Sequence, residues 1–331
     1  MKVVVCVEEI RGELASFDEL KDLWQKKLSA IGGIDEICIV REAELRDITV
    51  QEAAYKNADA VLGMKLKDGS LSEEFLNRYP ALKYAATFNH GFGSYDREAV
   101  KRHGVTVTNT VYGDVTVAQF AMALLLNICH DITANSTYYK EEHFNRPQEA
   151  GKNPPPVTSQ MELYGKTLGI IGLGSIGLWV AKMAAGFGMK VIASSRHPKE
   201  GKEYEFIEQV SVEEVIKNSD VVSIHCPLTE DTRGMINRET ISRMKDGVIL
   251  INTARGDIIV EKDLIEALNS GKIRAAGLDV VSGEPLKEKT GIFYCKNAYI
   301  TPHMAWLTKE AVYRQVDVAV ENFRRWKEKV D

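Results

Sequence analysis

The stretch "KTLGIIGLGSIGLWVAKMAAGFGMKVIASSRHP", Lys166 to Pro198, restricts the fold more than any other part of the chain. An apolar run leads directly into Gly172, Gly174 and Gly177 in a GxGxxG spacing, followed by a helical pattern and a second apolar run, "KVIAS". Each glycine has its own physical reason. Gly172 permits a tight turn, Gly174 lets a pyrophosphate come close to the backbone, and Gly177 lets the helix lie close on the strand. The first helical residues, Ser175 and Ile176, bring unpaired N–H groups and positive potential to a phosphate. The segment reads as the phosphate-binding turn of a dinucleotide pocket, against the blander alternative of a plain glycine turn.

Pockets for NAD carry a carboxylate for the ribose hydroxyls roughly twenty residues further on, at the end of the second strand. This chain has Ser194, Ser195, Arg196 and His197 there. No carboxylate repels a 2′-phosphate, serine can donate to one, and Arg196 can pair with it bidentately. The pocket therefore reads as favouring NADP(H). NAD(H) is possible if Arg196 instead stacks on the adenine or faces solvent.

At 331 residues the chain is long for one core, and its short β-rich runs alternate with helical patterns almost throughout. Apolar strands separated by helices indicate parallel sheets covered on both faces. One series runs from "KVVVCV" to "VTVTNT", and a better-formed one restarts at Lys166. Between them lie one long helix pattern, residues 115 to 140, and a Pro-rich arm. The expected fold is α/β, with two doubly wound parallel-sheet domains. Residues 1–112 with 303–331 form the substrate domain, and residues 113–302 the inserted nucleotide domain.

The net charge of −5, without a basic block, argues against a nucleic-acid partner. The longest apolar run, Phe120 to Cys129, is about half a membrane span and reads as a buried helix, so no membrane partner is expected. Five scattered cysteines without a CxxC point to reduced thiols and a cytoplasmic protein. The seven histidines show no HxxxH spacing, so no metal is expected.

Three polar residues follow apolar strands of the second series: Arg255 in "INTARG", Glu284 in "GLDVVSGEP" and His303 in "YITPHMAW". Ligands of doubly wound sheets bind beyond the carboxyl ends of the strands. Taken singly, these residues are explained by a surface salt bridge, a turn and a backbone-satisfied histidine. Taken together on one edge, they point to a site.

The pieces "GLGSIG", "SDVVSIHCPLTEDTRGMIN", "MKDGVILINTARGDIIVEKDLIEAL", "AAGLDV" and "TPHMAW" all lie between residues 172 and 306. With them, the sequence resembles the NAD(P)-dependent D-2-hydroxyacid dehydrogenases, closest in look to the glycerate dehydrogenase and hydroxypyruvate (glyoxylate) reductase branch. The resemblance implies a Rossmann domain inserted into a flavodoxin-like domain, and a hydride transfer between nicotinamide and a 2-oxo or 2-hydroxy acid. It implies catalytic roles for Arg255, Glu284 and His303. Arg255 would orient the substrate carboxylate and carbonyl, His303 would exchange the proton, and Glu284 would fix the His303 tautomer. It further implies that Asp279 accepts from the nicotinamide carboxamide, that Thr253, Ala254 and Ala305 line the cofactor, and that Cys226 is a wall residue rather than a nucleophile. For the substrate it implies His90, Gly91 and Phe92 at the carboxylate, a basic Lys65 facing it, and Trp306 closing the pocket over a short acid. A homodimer joined by the arm and the helix before it is expected from the same resemblance. Two alternatives are an NAD-dependent D-lactate-type dehydrogenase and a nucleotide-sensing, corepressor-like binding protein of the same fold.

Overall fold

The apolar runs become parallel strands because each is followed by a segment that carries the chain back across the sheet. The computed structural model describes residues 1–8, 14–88, 94–145 and 151–330. The chain divides into two units, Met1–Gly113 with Leu307–Asp331, and Asp114–Trp306. The second crossing falls after Trp306 rather than after residue 302, so His303 to Trp306 belong to the unit that contains the glycine turn.

The first unit holds β1 (Lys2–Val7), β2 (Glu36–Arg41), β3 (Ala60–Met64), β4 (Tyr84–Thr87) and β5 (Thr106–Thr108). They are parallel in the order β2-β1-β3-β4-β5, the flavodoxin-like order. Helices α1 (Phe17–Leu28), α2 (Ile48–Tyr55), α3 (Glu73–Arg78) and α4 (Arg97–Arg102) connect them. α1 shows the local logic. Ser16 caps it by accepting from the Glu19 N–H, acids occupy its first turn and lysines its last, and Leu20, Trp24 and Leu28 form its buried stripe. The C-terminal helix, Lys309–Val330, returns to this unit and buries Val312, Val316 and Phe323. The rings of Phe323 and Trp326 pack on Tyr84 at 5.5 and 4.8 Å between centroids.

The second unit begins with α5 (Asp114–His130) and α6 (Ile132–Thr137). The single long helix expected here is broken. Asp131 takes φ 39°, a left-handed conformation that ends α5, and its side chain caps α6 by accepting from Ala134 N–H. Among the described residues no single helix is long and apolar enough to cross a membrane. Among these residues α5 taken together with Ile132–Glu142 has the length and composition, and that pair is bent by 48°.

Seven strands follow: β6 (Thr167–Ile171), β7 (Lys190–Ser194), β8 (Glu208–Gln209), β9 (Val221–Ile224), β10 (Val248–Asn252), β11 (Ile273–Leu278) and β12 (Ala298–Ile300). α7 (Ser175–Gly186), α8 (Val212–Asn218), α9 (Arg238–Arg243) and α10 (Glu261–Ser270) cover the sheet. The strand order is β12-β11-β10-β9-β6-β7-β8, a Rossmann arrangement. β8 carries only two residues, too few for any apolar pattern to reveal it in sequence. The order reverses between β6 and β9, and a crevice at that reversal is where such sheets bind ligands.

Candidate active site

The glycine turn sits at this reversal. Gly172, at φ 104°, presses on the end of β9: a Cβ there would stand 2.5 Å from Cys226 N and 2.6 Å from His225 C. Gly177 touches the Gly172 carbonyl, so any side chain would push α7 off β6. Gly174 differs, with no atom within 4 Å of where a Cβ would lie. It is also the N-cap of α7 and has no capping side chain, so the first N–H groups of that helix are not satisfied by a capping side chain. Ser175 directs its hydroxyl to Asp114, Ile176 is half-buried, and Gly177 is buried.

Along the carboxyl edge the neighbouring strands deliver the other residues in order. Past β7, Ser195 donates to the His197 carbonyl at 2.7 Å, and Arg196 and His197 are exposed. Past β9, Cys226 is buried against Gly172, and burial pushes its thiol up to about 11, which suits a wall rather than a nucleophile. Past β10, Thr253 is buried, and its Oγ1 has no hydrogen-bond partner among the described residues. Adjacent strands lie about 4.8 Å apart, so an elongated ligand along this edge would reach from Ser195 to Thr253 over roughly 14 Å. The open Gly174, the uncapped α7 and the orphaned Thr253 hydroxyl all fit a dinucleotide.

Arg255, Glu284 and His303 line one cavity of about 830 Å³ beyond β10, β11 and β12. His303 Nδ1 meets Glu284 Oε2 at 2.9 Å. The other oxygen of Glu284 accepts from Val281 N–H at 2.8 Å, so the carboxylate is fixed from two sides. His303 takes φ 52°, unusual for a residue with a Cβ, and its N–H donates to Asp279 O at 2.9 Å and Thr301 O at 3.0 Å. The turn that aims the imidazole at Glu284 is thus held by backbone hydrogen bonds.

Asp279 is fully buried at the end of β11. Its carboxylate accepts from Thr301 Oγ1 at 2.6 Å, Met304 N–H at 2.9 Å and Ala305 N–H at 2.8 Å. Burial raises its pKa, and these donors partly oppose the shift. Most of the acceptor capacity of Asp279 therefore goes to the turn carrying His303 and to Ala305, itself buried.

Sequence reasoning missed Asn252. It is fully buried, accepts from Ala254 N–H at 3.0 Å and donates to Arg255 O at 2.9 Å, so it sets the backbone from which Arg255 departs. An asparagine ending an apolar strand was the one available signal, and it does not reveal both partners. Lys65 belongs to the first unit, past β3, and pairs with Glu8. His90, Gly91 and Phe92 lie outside the described residues. Trp306 is half-buried at the end of the second unit.

The sequence model of the D-isomer specific 2-hydroxyacid dehydrogenase NAD-binding domain matches residues 122–305. A hydroxypyruvate reductase of Blautia hydrogenotrophica is 38% identical over 92% of this chain and 92% of its own length. The chain belongs to the D-isomer specific 2-hydroxyacid dehydrogenase family. This dehydrogenase is also 38% identical to a glyoxylate reductase of Thermococcus litoralis, over 76% of each chain. The apo-structure of D-lactate dehydrogenase from Escherichia coli superposes on it with a TM-score of 0.76, covering 99% of this chain and 98% of that one at 28% identity. The dehydrogenase is accordingly an oxidoreductase with a nicotinamide-cofactor domain.

Proposed function

We propose that this dehydrogenase reduces short 2-oxo acids, hydroxypyruvate and glyoxylate, to D-glycerate and glycolate, with NADPH as the preferred reductant. The observation that carries the reading is the His303–Glu284 pair at 2.9 Å, sharing its cavity with Arg255. The relatives at 38% identity are named for hydroxypyruvate and glyoxylate, whereas the D-lactate dehydrogenase stands at 28%.

Bound reduced nicotinamide would supply hydride to the substrate carbonyl carbon. Arg255, a permanently charged fork, orients the carboxylate and polarises the carbonyl. His303, held at Nδ1 by Glu284, presents Nε2 to the carbonyl oxygen and gives it a proton as negative charge develops there. One 2-oxo acid, one reduced cofactor and one proton thus become one 2-hydroxy acid and one oxidised cofactor. Asp279 keeps the His303 turn in place, and the unpaired Thr253 hydroxyl is available to the nicotinamide carboxamide.

The preference for NADPH rests on Ser195, Arg196 and His197 past β7, with no carboxylate among them. The test is kcat/KM for NADPH and NADH with hydroxypyruvate, glyoxylate and pyruvate as acceptors. NADPH is favoured at least tenfold, and Arg196→Ala removes most of that margin. Equal use of NADH would refute the cofactor assignment, and faster turnover of pyruvate would refute the substrate assignment. Pairing of two copies through the α5–α6 face and the arm is supported by the exposed Ile132, Tyr139 and Val157. Sedimentation reads it directly: a 36.9 kDa species would count against it. Five free cysteines support a reducing, cytoplasmic setting.

A further inference from the structure

Three loops of the second unit meet at one carboxylate. Asp257 lies two residues past Arg255, in the short turn Gly256–Ile258. Its Oδ2 accepts from Arg233 Nη1 at 2.9 Å, and Arg233 belongs to the loop after β9. Its Oδ1 accepts from the hydroxyl of Ser282, on the loop after β11 that leads to Glu284.

The main chain continues the same stitching. Gly234 N–H donates to Asp257 O at 2.9 Å, Ile236 N–H to Ile258 O at 3.0 Å, and Val260 N–H to Ile236 O at 2.8 Å. Gly256 packs directly on the backbone of Val281 and Ser282, leaving no room for a Cβ. The strand ladder ends below this level, its last pairs being Asn252 with Leu278 and Asn252 with Ile224. Beyond the ladder, the loops carrying Arg255 and Glu284 are joined by Asp257 and by the close approach of Gly256.

As a stabiliser of the fold the Arg233–Asp257 pair counts for little. The two side chains are 52% and 35% exposed, and exposed ion pairs contribute weakly. Its placement is more telling than its strength. The reduction needs Arg255 and His303 to hold one small substrate from two different loops, and a misplacement of about 1 Å can lower turnover roughly 10²-fold.

We propose that Asp257 is a positioning residue: tied to Arg233 on one side and Ser282 on the other, it fixes the spacing between Arg255 and the Glu284–His303 pair. This rests on the roles given to those three residues above. Asp257 shares the cavity lining with Arg255 and Glu284, but both of its carboxylate oxygens are engaged by protein donors, Arg233 and Ser282. Its removal should therefore lower kcat while leaving cofactor affinity and the charge of Arg255 intact.

The experiment compares wild type, Arg255→Ala, Asp257→Ala, Asp257→Asn and Ser282→Ala. It measures kcat and KM for hydroxypyruvate, Kd for NADPH by fluorescence titration, and melting temperature. Asp257→Ala is expected to lower kcat about 10–100-fold, with KM changed less than about threefold and Kd less than twofold. Asp257→Asn keeps an acceptor for Ser282 and restores kcat to within about fivefold of wild type. Ser282→Ala lowers kcat at least threefold on an otherwise intact loop, and it decides the matter alone if Asp257→Ala does not fold. A kcat within twofold of wild type in Asp257→Ala or in Ser282→Ala overturns the proposal. So does a loss of kcat matched by an equal loss of NADPH binding. An active wild type with an inactive Arg255→Ala and unaffected clamp variants overturns the clamp alone. A wild type that oxidises neither reduced cofactor overturns the functional reading and the clamp with it.

Discussion

Gly172 and Gly174 stand two residues apart in one motif, yet replacing each by alanine should fail in opposite ways. At Gly172 the φ of 104° strains any residue with a Cβ, and the new methyl would meet the backbone of His225 and Cys226 at 2.5–2.6 Å. The strain costs about 1–3 kcal/mol and the overpacking a similar amount, so Gly172→Ala should destabilise by about 4 kcal/mol. At about 2–4 °C per kcal/mol for a domain of this size, melting falls by roughly 8–16 °C. At Gly174 the backbone is extended, φ −88° and ψ −163°, and nothing lies within 4 Å of the added methyl. Gly174→Ala should leave melting unchanged or raise it by about 1–4 °C, because the unfolded chain loses freedom. The methyl stands where a pyrophosphate would approach the first N–H groups of α7. Losing one or two charge-assisted hydrogen bonds there weakens NADPH binding about 10–100-fold. Thermal denaturation without ligand and a fluorescence titration with NADPH read the two effects separately. The reasoning fails if Gly174→Ala melts as low as Gly172→Ala, or if it binds NADPH as tightly as wild type.

Arg255→Ala should lower kcat/KM for hydroxypyruvate at least 10²-fold with the NADPH Kd within twofold, since the guanidinium serves the substrate; parallel loss of both would remove its assigned role. Asp279→Asn places an amide beside the N–H groups of Met304 and Ala305, which should cost about 1–3 kcal/mol in urea denaturation and lower kcat through the His303 turn; unchanged kcat would separate that turn from the reaction. Burial depresses the His225 imidazole to about 4, against 6.5 unperturbed, so the unfolded chain takes up the proton first as pH falls. The stability this neutral histidine contributes is therefore complete above pH 6.5 and is lost between pH 6.5 and 4, about 2 kcal/mol once its partial exposure is allowed for. Urea titrations across that window should show a shallower slope for His225→Gln, and identical slopes would rule out the assignment.

The cofactor half of the site was legible because its residues follow one another along the chain. A strand, three glycines and a helix are local chemistry, and the shape of the turn follows from which positions lack a Cβ. Arg255, Glu284 and His303 were legible as strand-end polar residues, and their family resemblance supplied roles. Less legible was how each is held. Asp279 reads in sequence as a cofactor ligand, and nothing local shows that its carboxylate also accepts from Thr301, Met304 and Ala305. The break at Asp131 also escaped notice, because the apolar pattern runs through it while one left-handed residue redirects the chain.

The sequence by itself determined the alternation of strand and helix, the glycine turn and the identity of the polar groups at the strand ends, because these depend on neighbours a few residues away. Only the tertiary structure decided how those groups are held: that Asp279 accepts from Thr301, Met304 and Ala305, and that Asp257 joins loops from three strands. Those partners are separated by 22 to 26 residues. Local propensity carries no information about which distant groups the closing of a sheet will bring within hydrogen-bond reach.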